Sequence, residues 1–136
     1  MAGRVFVITG ASSVLGFAVA KAAAEQGARV AMIDHAKDLP PGAPSGPDAL
    51  VQCGVDLTDA NAAGAAIDAV ADRFGGVDAL LNIAGGFRWE KHEGGDWQTW
   101  HRLFLLNVQT AANASFAAIP HLKRSAACRI VSVRHC

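Results

Sequence analysis

Thr9-Gly10-Ala11-Ser12-Ser13-Val14-Leu15-Gly16 is the stretch of this chain best suited to hold an anion. Gly10 stands where the backbone must bend sharply and a Cβ would obstruct it. The residues after it open a helix, whose first N–H groups have no partner inside the helix. Those donors, with the positive end of the helix dipole, suit a pyrophosphate. Ser12 and Ser13 can cap the helix or donate to a phosphate. Gly16 lets the helix lie close against the preceding strand. A carboxylate about 20 residues after such a turn is where a ribose hydroxyl pair is held, and Asp34 stands there. The alternative for Asp34 is a strand-end residue that caps a turn.

These residues need strands and helices to bring them together. Arg4 to Thr9 is near-continuously apolar, as a central parallel strand covered on both faces must be. A helix is expected from Val14 to Gln26, stopped by Gly27. Arg29 to Ile33 is the second strand, with Asp34 at its end. The stretch from His35 to Pro47 contains Pro40, Pro41, Pro44 and Pro47 and cannot be a regular helix. It is long enough to serve as a crossover loop to a third strand, Leu50 to Val55. Thr58 or Asp59 should cap the next helix, whose apolar face is Ala63, Ile67, Val70 and Phe74. Val77 to Ile83 is the fourth strand. A long helix from about Trp97 to Ala118 ends or kinks near Pro120, and Arg129 to Val133 is the fifth strand.

Alternating strands and helices predict an α/β fold of Rossmann-like, doubly wound type, with a parallel sheet in the order 3-2-1-4-5. The 136 residues form one domain. Ligands in such sheets sit beyond the carboxyl ends of the strands, where the order reverses. Gly10 to Gly16 and Asn82 to Gly86 both fall at that point.

The formal net charge is zero and no basic block is present, which argues against nucleic acid or an anionic membrane as partner. No apolar run is long enough to span a bilayer, and Met1-Ala2-Gly3-Arg4 runs straight into a strand. Cys53, Cys128 and Cys136 are odd in number and widely spaced, fitting neither a disulfide framework nor a zinc site. A reduced, cytoplasmic chain is the expectation. The five histidines show no metal-ligand spacing and read as surface or helix-end residues. Phe87, Trp89, Trp97 and Trp100 cluster before the long helix, as a substrate lid or as a packing or oligomer patch. Asn107 falls on the stripe Leu103, Asn107, Thr110, Ala114, so its amide must find partners on an apolar face.

The glycine turn, the strand-end Asp34 and Leu81-Asn82-Ile83-Ala84-Gly85 together resemble the short-chain dehydrogenase/reductase family. The resemblance implies binding of a nicotinamide dinucleotide and hydride transfer between it and a carbonyl or alcohol. It assigns Gly10, Ser12, Ser13, Val14, Leu15, Gly16 and Asp34 to the cofactor, with Asp56-Leu57 at the adenine and Asn82, Ala84 and Gly85 at the nicotinamide ribose. Asp56 reads equally as a turn or cap residue. A carboxylate at Asp34 repels a 2′-phosphate at close range, and no Arg stands in the turn, so NAD is favoured over NADP. Asn107 matches the helix asparagine of the family's catalytic set, which holds a water in a proton relay.

Four departures stand out. Val14 occupies the place of the usual middle glycine, where it either crowds the pyrophosphate or packs between helix and sheet. Leu81 replaces the first Asn of the family's Asn-Asn-Ala-Gly. Ile130-Val131-Ser132-Val133-Arg134-His135 puts His135 at the family's serine position, with Ser132 where Asn is common and Cys128 where Gly is usual. The 136 residues contain no tyrosine, so the family's Tyr-x-x-x-Lys acid/base pair has no counterpart. The expectation is a truncated domain, ending after the fifth strand and inactive by itself, that binds dinucleotide or acts as an interaction module. Its edge strand and long helix are then candidate surfaces for self-association.

Overall fold

The computed structural model describes residues 1–91 and 93–133. Five parallel strands form one sheet: β1 (Val5–Thr9), β2 (Arg29–Ile33), β3 (Ala49–Gln52), β4 (Ala79–Asn82) and β5 (Arg129–Ser132). Their order is β3-β2-β1-β4-β5, as the alternation of elements predicts. β1 is central because its side chains are apolar on both faces. Val7 sits between Ala31 of β2 and Leu80 of β4, and all three are fully buried.

Helices cover both faces. On one, α2 (Ala60–Phe74) and α4 (Thr110–Leu122) bury Ile67, Val70, Ala114 and Ala118 over Val5, Val7, Ile33 and Leu80. On the other, α1 (Val14–Glu25) buries Ala20 and Ala23 over Ile8, Val30 and Met32. The proline-rich segment between β2 and β3 is irregular, as its prolines require. Its Leu39 and Ala43 pack beside α1, so the loop does the covering that a crossover helix would otherwise do. The α1 face is therefore covered by helix and loop together.

One expectation needs correcting, and the caps resolve to single residues. The long helix is not one regular helix from Trp97 to Ala118. It consists of α3 (Trp97–Phe104), a wide π turn (Leu105–Gln109) and α4, which runs through Pro120 to Leu122. The Thr110 N–H donates to the Leu105 carbonyl, five residues back. Asn107 Nδ2 and Thr110 Oγ1 take the carbonyls of Leu103 and Leu106, local competition that favours such a turn. Pro120 sits in the last turn, where only the final hydrogen bonds are affected. The caps are also more specific than expected: Asp59, not Thr58, caps α2, and Ser13, not Ser12, caps α1.

β5 lies at the sheet edge with all four residues exposed. Parallel strands are normally covered on both faces, so this edge is the least protected part of the sheet.

Candidate functional site

The turn after β1 is built by steric necessity. Gly10 has φ +67°, and a Cβ there would lie 2.7 Å from the Ala84 N. A Cβ on Gly16 would lie 2.1 Å from the Gly10 carbonyl oxygen. The two glycines thus let β1, α1 and the end of β4 meet backbone to backbone. Ser13 locks the turn: its hydroxyl donates to the Gly10 carbonyl and accepts from the Gly16 N–H. The next amides, Val14 and Leu15, face no acceptor among the described residues. Val14 is 91% exposed, so it does not fill the helix–sheet interface. Its side chain turns to solvent and not into the adjoining cleft.

Asp34 is buried at the end of β2, beside that turn. Its carboxylate accepts from the Ser12 N–H and the Ala36 N–H, each at 2.8 Å. It is therefore both a turn residue and a wall of the cleft, and the two sequence readings of Asp34 are compatible. Asp56 lines the same cleft. Its Oδ1 accepts from the Thr58 N–H and hydroxyl. The Thr58 hydroxyl, then its N–H, and nearby His35 hold the Asp56 carboxyl below the usual carboxylate range. A depressed carboxylate stabilises the fold above its ordinary pKa, and this is lost as pH falls through the depressed value. Burial, followed by Asp34 and Asp38, pushes the nearby Cys53 thiol up, so it stays protonated at neutral pH.

The cleft has a volume of about 230 Å³ and runs along the carboxyl ends of β3, β2, β1 and β4. Gly10, Ser12, Ser13, Asp34, Asp56, Leu57, Ala84 and Gly85 all line it, bringing together most of the residues singled out from sequence. Asn82 points elsewhere: it is buried and donates to Ser115 of α4 and Ser132 of β5. It fixes the end of β4 rather than facing the cleft. Asn107 also acts on backbone: its Oδ1 accepts from the Gly86 N–H, and its Nδ2 donates to the Gly86 carbonyl. It clamps the strand exit to the π turn. His135 lies outside the described residues.

Sequence reasoning missed Thr9 and His35. The Thr9 hydroxyl, fully buried, accepts from the N–H groups of both Ile83 and Ala84 and thereby ties β1 to the end of β4. A threonine ending an otherwise apolar strand was the available signal. Thr9→Val keeps the shape and leaves two N–H groups unpaired. It should cost about 2–4 kcal/mol, read as a lower urea midpoint with unchanged slope. His35 is exposed, as expected of a surface residue, and it also lines the cleft beside Asp34.

The titratable side chains on the cleft, Asp34, His35 and Asp56, all sit toward β2 and β3. At the Ala84–Gly85 end the described lining offers backbone and apolar groups. This arrangement can bind and orient a ligand with an anionic centre and a hydroxylated wing. It lies at the carboxyl ends of the strands, where the strand order of a doubly wound α/β domain reverses. Among the described residues no group of three or more His, Cys, Asp or Glu could hold a metal, and no helix is long and apolar enough to cross a membrane.

Residues 4–134 match the short chain dehydrogenase family model, and the chain belongs to that oxidoreductase family. It is 36% identical to a 2,5-dichloro-2,5-cyclohexadiene-1,4-diol dehydrogenase of Sphingobium indicum, over 98% of this chain and 55% of that protein. It is 31% identical to a D-beta-hydroxybutyrate dehydrogenase of Rhizobium meliloti, over 93% and 52% of the respective chains. The ligand-free aldohexose dehydrogenase of Thermoplasma acidophilum superposes with a TM-score of 0.82 at 28% identity, covering 95% of this chain and 48% of that one. The chain thus spans about half the length of the relatives it matches.

Proposed function

We propose that this chain is the dinucleotide-binding portion of a short-chain dehydrogenase/reductase and prefers NAD to NADP. The observation that carries this is the cradle at Gly10 and Gly16, where no Cβ fits, set against the buried carboxylate of Asp34. The residues present suit the dinucleotide. The free amides of Val14 and Leu15 would hold the pyrophosphate, with Ser12 and Ser13 beside it. Asp34 would accept from the adenosine ribose, Asp56-Leu57 would meet the adenine, and Ala84-Gly85 would give the nicotinamide ribose close backbone approach. When bound, the coenzyme supplies or takes up a hydride at its nicotinamide. The chain's own residues bind and orient: Thr9 and Asn107 hold the backbone at the nicotinamide end, and Asn82 steadies the strand behind it. The 136 residues contain no tyrosine to serve as acid/base, so they bind without turning over. The reaction of the whole protein would be hydride exchange with a carbonyl or alcohol.

Titration of the folded chain with NAD and NADH should give saturable heat, and NADH absorbance should stay constant with added carbonyl compounds. No heat with either coenzyme would sink the reading, and steady NADH consumption would sink the claim of inactivity. The exposed stripe Trp97, Phe104, Val108 and Phe116 along the long helix supports self-association, with the β5 edge as a second surface. We place the protein in the cytoplasm on its odd, widely spaced cysteines.

A further inference from the structure

We propose that a second cavity, beyond Gly86, binds the carboxylate of a short oxo or hydroxy acid through Arg88 and Arg102. This names the substrate class for the dinucleotide site and so rests on that reading. The cavity has a volume of about 380 Å³, within the range of small-ligand sites. Leu106 lines both it and the dinucleotide cleft, so the two adjoin at the end expected to hold the nicotinamide. Its floor at Gly86 is fixed by the two Asn107 hydrogen bonds.

Arg88 and Arg102 reach this cavity from different elements, the segment after β4 and the last turn of α3. No Asp or Glu is among the residues described as lining it. Among the described residues the ion pairs are Arg29–Asp48 and His121–Asp68, and neither Arg88 nor Arg102 has a partner. Two uncompensated guanidinium groups on one cavity attract an anion, and their planar forks match a carboxylate. Phe87, Leu103 and Leu106 form the apolar remainder of the wall. That wall selects a short carbon chain over an inorganic anion, and Thr99 adds one hydroxyl.

The test compares 4-oxopentanoate, its neutral methyl ester and inorganic phosphate on the 136-residue chain, by calorimetry with and without NADH. The acid should bind at least about tenfold more tightly than the ester, and Arg88→Gln and Arg102→Gln should each weaken it about tenfold while leaving the ester unchanged. Both arginines are exposed, so the variants should keep the wild-type urea midpoint. Should either glutamine variant fail to fold, the lysine variants provide the same comparison through loss of the fork. Equal binding of acid and ester, or of acid to wild type and variants, overturns the proposal. Phosphate binding as tightly as the acid also overturns it, since the site is then one for free anions. NADH binding without acid discrimination overturns this proposal alone. Acid discrimination without NADH binding overturns the dinucleotide reading instead.

Discussion

Gly16→Ala is expected to cost about 3–5 kcal/mol of folding stability, among the largest effects of a single methyl group in this chain. The added Cβ would lie 2.1 Å from the Gly10 carbonyl oxygen, 2.8 Å from its carbon and 3.0 Å from Ala11 Cα. All three atoms are backbone, so no rotamer change relieves the overlap. α1 must lift away from β1, and with it go the Ser13 cap and the packing of Ala20 over the sheet. A domain of this size has only about 5–15 kcal/mol to lose, and here the β5 edge is already exposed. Gly64→Ala is the control. It lies inside α2 with nothing within 4 Å of a new Cβ, so it should stabilise the protein by about 0.5–1 kcal/mol. Urea unfolding followed by circular dichroism separates the two; equal midpoints for Gly16→Ala and wild type would show that the tight helix–strand contact is absent in solution.

Asp34→Asn is expected to erase the preference for NAD over NADP, which in the wild type should be at least about tenfold. A carboxylate accepting from two ribose hydroxyls is worth about 1.5–3 kcal/mol per charged hydrogen bond. The same charge repels a 2′-phosphate in a partly desolvated site. Asparagine keeps the shape and one acceptor, so the bond from Ser12 or Ala36 can persist while the charge disappears. Alanine would remove both internal bonds and confuse affinity with stability. Calorimetry with each coenzyme should show NAD binding weakened by at least about tenfold in Asp34→Asn, with NADP binding unchanged or improved. An unaltered ratio would assign Asp34 to the turn alone.

Periodicity and punctuation made the parallel sheet legible, and its strand order and switch-point crevice followed from the doubly wound fold class. Gly10, Gly16 and Asp34 were legible too, because a backbone bend, a close approach or a strand-end carboxylate demands a particular residue type, whereas Asp56 and Ala84 were singled out by the family resemblance. Local pattern could not say where Val14 points, because exposure depends on what packs opposite, and α1 turns it to solvent. Nor could it divide the long helix, whose π turn arises from side chains competing for carbonyls one turn back.

The roles of Thr9, Asn82 and Asn107 were decided only by folding. Each is a short polar side chain whose partners lie on a different element, Ile83 and Ala84, Ser115 and Ser132, and Gly86 respectively. Spacing along a chain encodes the face a residue occupies; it does not encode which buried N–H or carbonyl another segment will bring to that face. For the same reason the pairing of Arg88 with Arg102 on one cavity appears only once α3 is set against the end of β4.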